Sequence, residues 1–204
     1  ILLGSSAGGA LYVCGLLCSN ILIGSSAGAS SRGVGVGTDY VNNVLIGSRA
    51  GFAYCGSCNV FVGAYAGRTS SSDRGIGVQN IGIGHSVQMP KRVGSNQLAI
   101  GLTSQYWITG DELFNVGIGT STPTSKLHVV GNTLVESGVS TFSGNIDINV
   151  GSSVTAFNVA GSEGQLFSVT NNLTSGSIFE VNDVSGMPSI DVNADGTIQL
   201  APHG

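Results

Sequence analysis

Asn43-Val-Leu-Ile-Gly47-Ser-Arg-Ala50-Gly51 decides the fold, because near copies of it run through the first half of the chain. Asn20-Ile-Leu-Ile-Gly24-Ser-Ser-Ala27-Gly28 precedes it, and Asn59-Val-Phe-Val-Gly63-Ala-Tyr-Ala66-Gly67 follows. The series continues with Asn80-Ile-Gly-Ile-Gly84, then Asn96-Gln-Leu-Ala-Ile-Gly101 with one extra residue, then Asn115-Val-Gly-Ile-Gly119. Leu2-Leu3-Gly4-Ser-Ser-Ala7-Gly8 is a truncated first copy, so the chain is expected to be cut from a longer polypeptide. A unit returning every 16 to 23 residues is the mark of a repeat architecture.

Each copy has strand chemistry. Ile21/Ile23, Val44/Ile46, Val60/Val62, Ile81/Ile83, Leu98/Ile100 and Val116/Ile118 sit two apart, so each pair lines one face of its strand. β-branched side chains suit a pleated surface, and the glycine that follows can take the positive φ of a sharp turn. One strand per unit reads as one coil of a β-solenoid, with the variable step absorbed in loops. The residue between each pair faces the other way; it is Leu22, Leu45 and Phe61, then Gly82, Ala99 and Gly117. Apolar or tiny residues on both faces predict that both are covered, and a second copy of the chain is the simplest cover. The change from Leu and Phe to Gly and Ala predicts an assembly that narrows toward residue 119.

A second system follows the turn-rich stretch Gly119-Thr-Ser-Thr-Pro123-Thr-Ser125. Its units are Ile146-Asp-Ile148, Phe157-Asn-Val159, Phe167-Ser-Val169, Phe179-Glu-Val181 and Ile190-Asp-Val192, spaced by 10 to 12 residues. Such regular short strands predict an all-β module, and strands this short need neighbours from other chains. No segment carries a helical stripe. The expected fold is therefore all-β: a repetitive β-solenoid or β-roll head over 1–119, a linker over 120–126, and an intertwined β-helix or β-prism shaft of ~11-residue repeats over 127–204. The whole is expected to be homotrimeric.

Composition supports an oligomer. Only 9% of residues are Asp, Glu, Lys or Arg, where an average domain carries roughly 25%. A lone domain so poor in charge would tend to associate, and burial of its apolar surface in an assembly removes that tendency. The net charge of −4, from 7 basic and 11 acidic residues, argues against a nucleic-acid partner. The longest nearly apolar run, Gly8 to Cys18, is broken by glycine and falls short of the ~20 residues of a membrane span, so no membrane insertion is expected.

The Asn-x-aliphatic-Ile/Val-Gly-x-x-Ala-Gly copies resemble the repeats of trimeric phage tail fibres, and are similar to those in the heads of bacterial trimeric autotransporter adhesins. Asn115-Val-Gly-Ile-Gly-Thr-Ser-Thr-Pro-Thr-Ser-Lys-Leu-His-Val129 resembles a tail-fibre junction often found upstream of a self-cleaving chaperone domain. The stretch from Gly131 to Asn145 resembles a fibre shaft. The resemblance implies a homotrimer in a parallel bundle, part of a phage tail or virion appendage. It implies contacts with other virion tail proteins and with a host cell-surface glycan or protein, and a location on the virion. The alternatives are a bacterial adhesin head on the extracellular cell surface and a polysaccharide-cleaving tailspike.

No enzyme and no cofactor are expected. Asp111 and Glu112 are adjacent and would face opposite sides of a strand, whereas glycan cleavage needs two carboxylates around one bond. His85, His128 and His203 have no nucleophile pattern beside them, although three His128 side chains on a trimer axis would make a metal ring. The cysteines fall in matching places, Cys14/Cys18 before Asn20 and Cys55/Cys58 before Asn59. They read first as small buried thiols in turns, then as loop disulfides, and last as weak zinc ligands. Asp191-Val-Asn193-Ala-Asp195-Gly196 matches half of a calcium loop, but the twelfth position is Pro202, so a hairpin turn is preferred. Arg32-Gly-Val-Gly-Val-Gly37 and Arg74-Gly-Ile-Gly-Val78 lack the spacing of a phosphate loop and read as tight corners. Tyr106 and Trp107, in a longer insert, are the receptor-binding candidates, since exposed aromatics suit sugar rings. The competing reading buries the insert as a plug under the end of the head.

Overall fold

The computed structural model describes residues 1–9, 19–30, 39–69, 75–103, 105–136, 141–150, 155–171 and 174–200. Among them there is no helix, and hence none long and apolar enough to cross a membrane. The chain forms two units, Ile1–Leu134 and Val135–Gly204.

The first unit is β-solenoid-like. Strands β1 (Leu2–Leu3), β2 (Ile21–Ile23) and β3 (Val44–Ile46) stack in parallel, one per repeat. A short β4 (Tyr54–Cys55) leaves this sheet, β5 (Val60–Val62) returns to it, and β6 (Gly75–Ile76) pairs with β4 on a second small sheet. β7 (Ile81–Ile83) and β8 (Leu98–Leu102) complete the parallel stack. The register is in phase throughout, Leu22 beside Leu45, Phe61, Gly82 and then Ala99. Winding stops after β8: β9 (Gln105–Gly110) runs antiparallel between β8 and β10 (Val116–Ile118), and β11 (Leu127–Val129) lies parallel to β10. The first sheet therefore continues through Val129, beyond the head boundary at 119 and the linker read at 120–126.

The recurring asparagine has a structural cause. The backbone N–H of Asn43 donates to Asn20 Oδ1 at 3.0 Å, that of Asn59 to Asn43 Oδ1 at 3.0 Å, and that of Asn80 to Asn59 Oδ1 at 3.0 Å. Their Nδ2 groups donate to carbonyls at the next corner, Gly56, Gly77 and Gly94 respectively. Asn43, Asn59 and Asn80 are at most 1% exposed, so this amide ladder satisfies polar groups that water cannot reach. In the copy with the extra residue, Gln97 and not Asn96 takes the rung, donating its N–H to Asn80 Oδ1 at 3.0 Å. Asn96 occupies the left-handed position before the rung (φ 56°), as Asn42, Cys58 and Gln79 do in their copies.

Glycine at the strand end is required by both conformation and space. Gly24, Gly47, Gly63 and Gly84 share φ near 130°. A Cβ on Gly47 would lie 2.4 Å from the carbonyl oxygen of Gly63 in the next coil. Backbone stacks on backbone there, and only glycine permits it.

The residues between the pairs, expected to face a second copy of the chain, turn inward instead. Leu22, Leu45, Phe61 and Ala99 are 0–1% exposed and form the core of the coil itself, with Ala27, Ala50, Ala66, Val87 and Met89. The flanking pairs face outward. Gly82 does not narrow the coil either: a Cβ there would meet Met89 Cε at 2.8 Å and Phe61 Cδ1 at 2.9 Å, so larger neighbours already occupy the space. Alternation with apolar residues on both faces cannot itself distinguish inside from outside.

The second unit is an antiparallel meander. β12 (Thr155–Gly161), β13 (Gly164–Thr170), β14 (Ser177–Asn182), β15 (Pro188–Asn193) and β16 (Ile198–Leu200) pair in chain order. Within one chain these repeats form hairpins, not the winding of a β-helix. Ile146-Asp-Ile148, read as the first strand, lies in irregular, exposed chain. The turns explain the 11-residue spacing: Asp183 accepts from the backbone N–H groups of Ser185 and Met187, and Asp195 accepts from that of Thr197. Asp191-Val-Asn193-Ala-Asp195-Gly196 thus ends β15 and makes the hairpin turn before β16, with Gly196 at φ 87°.

Candidate interaction surfaces

Each unit presents an apolar face that its own described residues leave uncovered. On the first sheet, the in-phase register aligns the outward residues into columns. One column runs Ile23, Ile46, Val62, Ile83 and Ile100, and continues through Ile108, Ile118 and Val129. The second runs Ile21, Val44, Val60, Ile81 and Leu98, with Val116 and Leu127 beyond. Ile81, Ile83 and Ile118 are 40–42% exposed, and the others are half-buried or exposed. No charged side chain interrupts either column.

The second unit repeats the theme. Phe157 faces Val169, Val159 faces Phe167, Phe179 faces Val192, and Val181 faces Ile190. These residues lie on one side of a single-layered sheet, with Asn158, Ser168, Glu180 and Asp191 alternating onto the other. Phe167 meets Phe157 and Phe179 edge-on at 5.7 and 5.1 Å, so the rings organise the face without burying it. A sheet with one apolar side uncovered is half of a core.

Trp107 and Tyr106 are strand residues and not loop residues. Gly101 pairs with Tyr106 and Ile100 with Ile108, so Trp107 is the extra residue of a β-bulge. The bulge turns the indole outward, 62% exposed, while Tyr106 packs against the core, its burial pushing the phenol pKa up. Trp107 is therefore not a plug; Tyr106 fills part of that role.

Cys55 is buried on β4, and Cys58 is exposed at φ 60° just before the Asn59 rung, so the pair does not share one environment. Cys14 and Cys18 lie outside the described residues, as do His203, the run 32–37 and Arg74, while Gly75–Ile76 of the second run form β6. No group of three His, Cys, Asp or Glu among the described residues is placed to hold a metal. The adjacent acids diverge. Asp111 accepts from the backbone N–H groups of Leu113 and Asn115, both at 2.9 Å, and Glu112 pairs with Lys91 at 2.5 Å on the surface. Both acids line one concavity with Lys91, Gln97 and Ser121.

Sequence reasoning missed a basic and aromatic corner. The second residue after each strand-end glycine is left-handed, giving the column Arg49, Tyr65, Ser86 and Thr103 on successive coils. The guanidinium carbons of Arg49 and Arg68 lie 5.9 and 5.3 Å from the centre of the Tyr65 ring, and His85 approaches it edge-on at 6.0 Å. No family model matches the chain, and no curated protein matches it.

Proposed function

We propose that the chain is a structural segment of a trimeric fibre, part of a phage tail or another virion appendage, which supports attachment to a host surface. One observation carries the proposal. The outward face of the first sheet is an unbroken aliphatic strip, and the second unit presents an equivalent apolar face. A soluble monomer rarely exposes contiguous apolar surface beyond a few hundred Å², and each face, taken by itself, is a run of neighbouring apolar side chains of that kind. Copies of the same chain cover such a strip most economically, since parallel, in-register packing brings each aliphatic column against its own kind. The number three, and the virion setting, come from the likeness of the repeats to tail fibres. The low charge content fits a chain whose surface is largely spent on contact with itself.

Antibodies against the folded chain, applied to particles and cells from the source, test the setting. Labelling of particle appendages, with purified chain competing for adsorption, is the expected result. Labelling of the bacterial surface alone would favour the adhesin head.

A further inference from the structure

We propose that Trp107 and the concavity beside it, lined by Gln105, Tyr106, Gly119, Thr120 and Ser121, form a binding site for an uncharged sugar, a neutral pyranose unit of a surface glycan. This rests on the attachment role above and gives it a site and a ligand class. On β9 the two aliphatic columns run through Ile108 and Gly110, and the extra residue Trp107 stands beyond them at the corner of the coil. Pairing of Ile100 with Ile108 and of Gly101 with Tyr106 sets Trp107 opposite the Ile100–Gly101 step. Pairing of Ile118 with Ile108 brings Gly119 alongside it on the other flank. Glycine has no side chain to cover a ring, and Trp107 is 62% exposed. Tryptophan is highly buried on average, so one held open on a strand marks a place for a ligand.

The concavity supplies what the indole lacks. It measures about 450 Å³, within the range of small-ligand sites, and Gly119 belongs to its wall, so the indole stands at its rim. Its side chains offer one amide and three hydroxyls, and none carries a charge. Burial pushes the Tyr106 pKa up, which keeps the phenol a neutral donor. Thr109 Oγ1 donates to the Thr120 carbonyl at 2.7 Å and ties that wall to the strand. The Thr120 hydroxyl accepts from the Thr122 backbone N–H at 3.2 Å and keeps its own proton to donate. Among the described residues, none hydrogen-bonds the Gln105 amide, the Tyr106 hydroxyl or the Ser121 hydroxyl. A pyranose has the same division, with C–H groups on one face and hydroxyls around the edge. The indole is a platform for the first, and the amide and hydroxyls bind the second. An anion would find no cation in this wall, and an apolar ligand would strand its polar groups.

Trp107 is the chain's single tryptophan, so its fluorescence reports on this site directly. The test is fluorescence and calorimetric titration of the full chain with tetrasaccharides of glucose, galactose, mannose and N-acetylglucosamine, and with a hyaluronan tetrasaccharide as the acidic counterpart. A saturable change in emission with at least one neutral probe, unaltered by added salt, is expected. Gln105→Ala, at an exposed position, should melt like the unmodified chain and bind that probe about fivefold more weakly. Trp107→Ala should bind it about tenfold more weakly by calorimetry. Gln199→Ala removes an exposed amide from the second unit and should bind unchanged. Binding by no neutral probe, tighter and salt-sensitive binding of hyaluronan, or no greater loss in Gln105→Ala than in Gln199→Ala would overturn the site. If the chain competes for adsorption while no neutral probe binds, the site fails and attachment stands. If a neutral probe binds and the chain does not compete for adsorption, the attachment role fails and the site stands.

Discussion

Asn43 Oδ1 accepts two hydrogen bonds from Asn59, one from its backbone N–H at 3.0 Å and one from its Nδ2 at 3.2 Å. Asn59 in turn accepts from Asn80 and donates to the Gly77 carbonyl, so each rung serves the coils on both sides. Asn59→Ala leaves a buried N–H and a buried carbonyl without partners, which costs about 2–4 kcal/mol. Asn145→Ala, in exposed irregular chain, should change stability by less than about 0.5 kcal/mol. Thermal or denaturant unfolding of the two variants compares them.

Gly47 and Gly131 have nearly the same backbone, φ 130° and 132°, but different surroundings. A Cβ on Gly47 meets the Gly63 carbonyl at 2.4 Å, whereas one on Gly131 meets nothing within 4 Å. Gly131→Ala should cost only the backbone strain, about 1–3 kcal/mol, and Gly47→Ala clearly more because the stacked coils must separate. Parallel melts of both variants check the difference.

Much of this was legible in the sequence. The strand triplets, the glycine turns and the one-coil-per-repeat plan follow from alternation and spacing alone. The purpose of the asparagine was not, because a ladder exists only once coils are in register, and Gln97 shows that a longer amide can fill a rung that sequence alignment gives to Asn96. The basic and aromatic corner was hidden for a related reason: Arg49, Tyr65, Ser86 and Thr103 share a position but no residue type.

Asp111 holds the turn between β9 and β10. Its partial burial works against ionisation, but hydrogen bonds from Asn115 and Leu113, with the Lys91 charge nearby, outweigh it and keep the carboxyl below its usual 3.8. A carboxyl with a lowered folded pKa adds stability that is complete above its unfolded value and is lost as pH falls through the folded one. Amide protection at Leu113 and Asn115, measured against the intrinsic exchange rate at each pH, should therefore fall below about pH 4. Asp111→Asn should flatten that acid response; an unchanged response would assign it to other groups.

Trp107 is exposed on its bulge, so Trp107→Ala should leave melting within about 0.5 kcal/mol of the unmodified chain. Under the attachment proposal the same variant adsorbs more weakly to host cells. A variant that fails to assemble yet still adsorbs would contradict that role.

Phe61 and Ile83 separate folding from assembly. Phe61 is fully buried inside the coil, and Phe61→Asp should unfold the first unit, since an unpaired carboxylate there has no partner. Ile83 is 40% exposed on the aliphatic strip, so Ile83→Asp should preserve the β signature in circular dichroism while breaking association. Asn145→Asp, in exposed irregular chain, is the control charge and should change neither folding nor association.

The most direct measurement is the mass of the unmodified chain in solution, by sedimentation equilibrium across a wide concentration range. The account predicts a stable species of three times the 20.5 kDa chain mass, reduced to single chains by Ile83→Asp and not by Asn145→Asp. A folded, soluble species of one chain mass at all concentrations would contradict it, because the aliphatic strip would then face water without cover.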